Sequence, residues 1–472
     1  MSMKKLLIFI ICALLILPYS VIAYGSEADE NLVKTVNGCY DIDAPEYETD
    51  IALLVNADTD TVIYSKNADM ITAPASLTKI VTAMVALSKC DDLQTVITCS
   101  QKAVDSLLGT GSSIAGLKAG ERTTFEMLLY CLFLPSANDA AQVLAEYFGN
   151  GDSAAFVAEM NAYVQSLGCK NTFFANPHGL DDSTIPGFDS DTQNRTTASD
   201  MYLIAKAALQ NDHIRKISSK YGKTMPETNE SEVRYLYNTN PLLNSYSYYF
   251  YEGAVGLKTG TTDKAGCCLI SSATKNGYTY ISIAMKGNDQ YVADGERRNT
   301  AFLMCRYMLR WAFSNVEMKV LADSTYNIGE VSVKYGRGSD YVAVVPQSDI
   351  TAVVHSDINI DDMSVEYSKD FPTQVKAPVK QGDVIGKAKL VYNGVDIADI
   401  TLVAQSDVKK NHLWAMFNWL EKLMSSKVFI VIVIIIVIVI ILLLLTTKKQ
   451  RERKKRLKNR IDIVKDYSKL AK

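Results

Sequence analysis

Eighteen uninterrupted apolar residues, Val428 to Leu445, restrict this chain more than any other feature it has. A core strand of that length would be unusual, whereas a helix of that length reaches the threshold for crossing the hydrocarbon of a bilayer. The segment "KKQRERKKRLKNR" follows directly, with nine basic residues against one acidic. The bias of positive charge toward the inner face places that segment in the cytoplasm. At the other end, "MSMKKLLIFIICALLILPYSVIA" has Lys4 and Lys5, an apolar run, and Val21-Ile22-Ala23. This is the pattern of a secretory signal peptide over residues 1–23 with cleavage near Ala23, an uncleaved anchor being the alternative. The two ends agree on one topology. Residues 24–427 lie outside the cytoplasm, a single helix crosses the cell membrane at 428–445, and 446–472 form a cytoplasmic tail.

Charge follows the same division. The chain of 472 residues carries a formal −3, while Thr446 to Lys472 alone hold 12 basic and 3 acidic residues. Setting aside that tail and the two leader lysines leaves about −14 on the exported part. So acidic a surface argues against nucleic-acid binding. The basic tail serves as a topological stop in contact with lipid headgroups. Eight of the nine cysteines follow the leader. Cys131, Cys169, Cys267, Cys268 and Cys305 sit in apolar surroundings, as small hydrophobes do. No CxxC pair occurs, and His178, His213, His355 and His412 are the only histidines, so a zinc site has little support. A Cys90–Cys99 bridge stays open.

The stretch "DIALLVNADTDTVIYSKNAD" reads as two strands about a turn, followed by a helix that carries "APASLTKIVTAM". "TFEMLLYCLFLPSANDAAQVLAEYFG" is helical, broken at Pro135 and resuming near Asn138. "GAVGLKTG" and "AGCCLISSATKNGYTYISIAMKG" are consecutive strands with a hairpin at Lys275-Asn276-Gly277. "ERRNTAFLMCRYMLRWAFSN" is a further helix. With a leader segment at 24–44, this predicts an α/β domain over 45–316. From 317 to 407 the texture changes to short alternating strands with turns about every ten residues, a small β-sandwich-like domain without clustered reactive groups. Residues 408–427 contain Trp414, Phe417, Trp419 and Leu423, which suit an amphipathic helix at a lipid interface.

Ser76 and Lys79 stand three apart and therefore share one helical face. A serine hydroxyl becomes a nucleophile when a nearby base takes its proton, and a lysine serves if burial lowers its pKa. S-x-x-K alone is weak, because it occurs by chance in most long chains. "LPSANDAA" adds Ser136 and Asn138 at a helix start. "VGLKTGTTDKAG" adds Lys258, Thr259 and Gly260 on a strand, the glycine admitting a ligand backbone. S-x-x-K, S-x-N and K-T-G in this order form the signature of penicillin-recognising serine enzymes.

On these motifs, and on "NTFFANPHGLDD", "TASDMYLIAKAAL", "YNTNPLL" and "APVKQGDVIGKAKLVYNG", the chain resembles the low-molecular-weight penicillin-binding proteins, serine-type D-alanyl-D-alanine carboxypeptidases of the peptidase S11 type. The resemblance implies a β-lactamase/transpeptidase-like antiparallel sheet with helices, then a small all-β domain. It implies release of the terminal D-alanine from peptidoglycan stem peptides ending in D-Ala-D-Ala, acylation by β-lactams, and no metal or organic cofactor. It makes Ser76 the nucleophile, Lys79 its base and Ser136 the proton relay to the departing D-alanine. Asn138 would position Lys79 and the substrate amide, and Lys258 with Thr259 would bind the terminal carboxylate. The backbone N–H groups of Ser76 and Thr261, beside Gly260, would hold the oxyanion. Two departures are Ala137 where the family usually has glycine, and Thr261 where relatives often have histidine.

A β-lactamase shares the three motifs but needs a deacylating carboxylate between Asn138 and Lys258. The nearest, Glu146, falls inside a helix. A scaffold or β-lactam sensor would not need the complete set, and a tail of 27 residues is too short for an effector domain. His178 with Asp181 or Asp182 suggests a Ser-His-Asp triad, but no G-x-S-x-G elbow exists and Lys79 fills the base role. His178 is read as a structural residue of a loop near the site. Tyr246, Tyr248, Tyr249 and Tyr251 are read as surface packing, with an approach for peptidoglycan as the alternative.

Overall fold

The computed structural model describes residues 49–181, 193–291, 295–392 and 394–470. The expected signal peptide and leader segment lie outside the described residues, as does Asp182. Strands β1 (Ile51–Asn56) and β2 (Thr61–Lys66) form the expected hairpin, with Asn56 Oδ1 accepting from the Asp58 and Thr59 amides at 3.1 Å each. Helix α1 (Lys79–Lys89) follows, then α2 (Phe125–Phe133), α3 (Asn138–Phe148), α4 (Ser153–Ser166) and α5 (Ala198–Gln210). A small hairpin, β3 (Gly222–Met225) and β4 (Arg234–Tyr237), leads to strands β5 (Ala254–Thr262), β6 (Gly266–Lys275) and β7 (Tyr278–Gly287), and helix α6 (Thr300–Asn315) closes the run.

The main sheet is antiparallel in the order β2-β1-β7-β6-β5, so β5, which carries K-T-G, is an edge strand. The β6–β7 turn has Asn276 and Gly277 at φ of 55° and 83°. Positive φ at both central residues is what a two-residue hairpin matching the strand twist requires. Helix starts follow local chemistry: Thr124 accepts from the Met127 amide and Thr197 from the Asp200 amide. Pro135, with no amide hydrogen to donate, separates α2 from α3. Helix α1 is buried from Lys79 through Leu87, a helix enclosed on all sides in the core whose polar members, Lys79 and Thr82, are hydrogen-bonded. Burial of Ile80, Val81 or Leu87 stabilises the fold by about 1.5–3 kcal/mol each. The described cysteines are all free thiols, Cys90 and Cys99 included.

The chain divides into two compact units, the second built mainly from the sequence beyond Val320. Its centre is a six-stranded sheet of β8 (Gly329–Lys334), β9 (Tyr341–Pro346), β10 (Ser364–Tyr367), β11 (Gln374–Lys376), β12 (Val384–Tyr392) and β13 (Val395–Ala404), ordered β10-β12-β13-β9-β8-β11. Val331, Val333, Val342, Val344, Leu390 and Leu402 fill its core in the alternation read from the sequence. Helix α7 (His412–Met424) exposes Trp414, Phe417, Trp419 and Leu423. Helix α8 (Lys427–Leu470) includes the apolar run, none of it buried within the molecule, and continues through the basic tail. Lys, Arg and Glu are good helix formers and the tail has neither Gly nor Pro, so nothing ends the helix where the apolar run stops.

Candidate active site

Ser76 does not lie in a regular α-helix, as its spacing suggested. It sits in a 3-10 turn, Ala75–Thr78, entered from Pro74, and α1 begins at Lys79. Ala75 is held at φ 48°, and Thr78 Oγ1 donates to Ala75 O at 2.8 Å. In a 3-10 turn residues i and i+3 eclipse, so Ser76 and Lys79 superimpose more closely than on an α-helix. Lys79 Nζ stands 2.8 Å from Ser76 Oγ. Ser76 is half-buried and Lys79 wholly buried. Burial pushes the Lys79 ammonium well below the ordinary lysine range, and the charge of Lys258 pushes it the same way.

Lys79 also donates to His178 O at 2.8 Å. The backbone carbonyl of His178 thus holds Lys79 in place, and Asn138 forms no bond to Lys79 among the described residues. The His178 ring is a structural element. Its Nδ1 accepts from the Leu180 amide at 3.2 Å, and burial followed by the Lys79 charge lowers its pKa to about 3. Asp181 accepts from Thr262 Oγ1 and the Lys264 amide, each at 3.0 Å, and so fixes the turn after β5. The same loop reaches the Ser76 turn through Gly179, at φ 89°, where a Cβ would lie 1.8 Å from Ala75 O. Asn194 braces both segments, donating to Thr78 Oγ1 at 3.1 Å and accepting from the Ala175 amide at 2.7 Å.

Ser136 occupies a left-handed position, φ 61°, just before α3. Asn138, the first residue of α3, is buried, and its Oδ1 has no hydrogen-bond partner. Such a group costs free energy unless something completes it, so it points to an absent donor. Asp139 beside it accepts from the Ala115 and Leu117 amides at 3.0 Å each, tying the 113–117 loop to this turn. Leu134 O accepts from the Thr239 amide at 3.0 Å, which links the turn to the segment before β5. Thr239 Oγ1 lies 2.5 Å from Thr259 Oγ1. Lys258 is buried, bonded to Thr259 O at 3.1 Å, and burial lowers its pKa to about 7.

Gly260 stands where β5 approaches the Ser76 turn. A Cβ there would meet Ala75 Cβ at 3.0 Å, Ser76 N at 3.1 Å and Pro74 O at 3.2 Å. The glycine lets β5 close on the Ser76 turn itself. Thr261, next along the strand, is exposed.

The S-x-x-K turn meets both K-T-G and the His178 loop, and the Ser136 turn reaches the K-T-G strand through Thr239. Reading the sequence missed Thr239, Asn194 and the His178 carbonyl. "YNTNPLL" and "NPHGL" were signals for the segments but not for their roles. Glu146 is engaged elsewhere, accepting from Ser100 Oγ and pairing with Lys102 at 3.8 Å.

The peptidase S11 family, D-alanyl-D-alanine carboxypeptidase, matches residues 40–289, and the C-terminal domain of penicillin-binding protein 5 matches 317–410. D-alanyl-D-alanine carboxypeptidase DacF of Bacillus subtilis is 27% identical over 408 residues, covering 86% of this chain and 95% of its own. The D-alanyl-D-alanine carboxypeptidase of Streptomyces sp. strain K15 is 34% identical over 241 residues, 49% of this chain and 78% of its own. Among solved structures, the D-alanyl-D-alanine carboxypeptidase DacD of Francisella tularensis superposes with a TM-score of 0.60 at 25% identity, over 80% of this chain and 99% of that one. The chain belongs to the peptidase S11 family, the serine-type D-alanyl-D-alanine carboxypeptidases.

Proposed function

We propose that the protein is a membrane-anchored enzyme that removes the terminal D-alanine from peptidoglycan stem peptides through an acyl-enzyme on Ser76. The observation that carries this reading is the 2.8 Å approach of Ser76 Oγ to Lys79 Nζ, a lysine kept below its ordinary pKa by burial. Ser76 Oγ attacks the carbonyl of the penultimate D-alanine while Lys79 takes its proton. The oxyanion is held by the Ser76 and Thr261 amides. The C–N bond then breaks, and Ser136 passes a proton to the leaving amine. Lys258, Thr259 and the neighbouring Thr239 hold the terminal carboxylate, and the unpartnered Asn138 Oδ1 accepts from the substrate amide. Water hydrolyses the ester and returns the proton to Ser76. A β-lactam enters by the same attack and stays as an adduct.

The domain limits that accompany this reading are a signal peptide at 1–23, a peptidase domain at 45–316, a β-domain at 317–407 and a membrane helix at 428–445 with the catalytic part outside. The engagement of Glu146 by Ser100 and Lys102 weighs against a β-lactamase. The test is mass spectrometry after benzylpenicillin, together with D-alanine release from diacetyl-Lys-D-Ala-D-Ala. One adduct on the peptide containing Ser76, and release lost in Ser76→Ala, are expected. Rapid penicillin turnover without D-alanine release, or release unchanged in the variant, sinks the reading.

A further inference from the structure

A groove of about 590 Å³ opens where the chain enters β5, bounded by the β6–β7 turn and the last turns of α6. Its lining includes Tyr251, Glu252, Lys275, Arg306, Arg310 and Phe313. Arg306 and Arg310 stand one turn apart on the same helix, a like-charge spacing that weakens a helix. Among the described residues the Arg306, Arg310 and Lys275 side chains form no ion pair and donate no hydrogen bond. Several cations elsewhere in this unit are paired with carboxylates: Lys89 with Glu159, Lys206 with Asp60, Arg215 with Asp212 and Arg234 with Glu121. An exported part near −14 makes an unpaired cation cluster stand out further. The floor is aromatic, with the Tyr251 and Phe313 rings stacked at 6.5 Å and 20°. Arg306 also lies 5.5 Å from the Tyr248 ring.

Planar guanidinium groups bind phosphate and carboxylate bidentately, and aromatic faces take the apolar face of a sugar ring. Three cations against Glu252 leave the groove short of negative charge, which suits a ligand bearing more than one oxyanion. Gly253 at the groove lies seven residues before Gly260, so at about 3.3 Å per residue it is roughly 20 Å along β5 from the Ser76 turn. We propose that this groove is an exosite for an oxyanion-bearing sugar polymer, holding it at that distance from the reacting serine. The anion site stands on its own lining, and only its link to the wall rests on the function proposed above.

The test is binding to the full chain in nonionic detergent, with polyphosphate, polygalacturonate and uncharged dextran as probes. Saturable, salt-weakened binding of a polyanion is expected, falling at least tenfold in Arg306→Gln/Arg310→Gln, with no binding of dextran. Lys275→Gln, on the hairpin rather than the helix, should weaken binding independently. Polyphosphate and polygalacturonate distinguish a phosphate from a carboxylate ligand. The basic tail is common to all variants and sets the residual binding. Acylation by benzylpenicillin should be unchanged in these variants, which separates failure of the exosite from failure of the active site. No saturable binding of either polyanion, or equal binding by the double variant, overturns the proposal.

Discussion

Lys79 and Lys258 are two buried lysines in one cleft, and Lys258 makes Lys79 harder to protonate. Burial lowers both, and Lys258 adds its charge to the field at Lys79. Lys258→Met removes that charge, so Lys79 should hold its proton to higher pH. The acid limb of penicillin acylation should therefore move upward in pH, beyond any uniform loss from weaker carboxylate binding. Stability carries a second sign. The folded pKa of Lys258 is about 7, below an unfolded value near 10.4, so the unfolded chain binds more protons between those limits. The penalty is full below pH 7 and fades as pH rises toward 10. Thermal unfolding should show Lys258→Met more stable than the native chain at pH 6, with the advantage shrinking by pH 10. An advantage independent of pH would refute it. Gly260→Ala tests the closure of β5 on the nucleophile. The added methyl meets the backbone of the Ser76 turn at 3.0–3.2 Å, so strand and turn must separate by a few tenths of an ångström. Acylation should slow about 10- to 100-fold, since small misplacements of reacting groups are costly. Thermal stability should fall by only a few degrees. The three motifs were legible because they are spelled by side chains of recognisable chemistry at fixed spacing. The His178 carbonyl was not, because a backbone oxygen has no residue identity to read.

At the level of elements, the legible parts are those with local causes: the Asn276-Gly277 hairpin, the Thr124 and Thr197 caps, and the break at Pro135. The 3-10 turn at Ser76 was not legible, because its apolar pattern runs unbroken into α1. Nor was the pairing of β1 with β7, since no local pattern reports a partner more than 200 residues away. Distant elements are instead held by buried polar groups. Glu121, fully buried, pairs with Arg234 and accepts from Thr228 Oγ1 at 3.0 Å and the Lys118 amide at 2.9 Å. Arg234 donates in turn to Ala115 O at 3.1 Å and Gly116 O at 3.0 Å. This joins the β3–β4 hairpin to the loop that Asp139 anchors beside Ser136. Glu121→Ala leaves the half-buried Arg234 guanidinium without its carboxylate partner, which costs about 1.5–3 kcal/mol. Chemical denaturation should register that loss, and acylation should slow as the loop loosens. A loss under about 1 kcal/mol would show that the pair is solvated and the link weak.

For the whole molecule the decisive element is α8, whose apolar length of 18 residues spans about 27 Å at 1.5 Å per residue, close to the hydrocarbon thickness. None of its apolar window is buried within the molecule, so protein packing does not account for it. Two apolar devices stand in series, α7 with its exposed Trp414, Phe417 and Trp419, and then the run of 18 apolar residues. They should fail separately. The full chain should stay in the membrane fraction through alkaline carbonate, as a spanning helix does. A chain ending at Met424 keeps α7 alone and should bind reversibly, leaving the membrane in carbonate but not fully in low salt. A chain ending at Lys410 should be released outright. All three should acylate with penicillin at similar rates, because every residue of the Ser76 site precedes Ser314. Extraction of the full chain by carbonate would refute the spanning assignment. Unchanged partitioning between the two truncations would remove the interfacial role of α7 and leave the apolar run as the sole anchor.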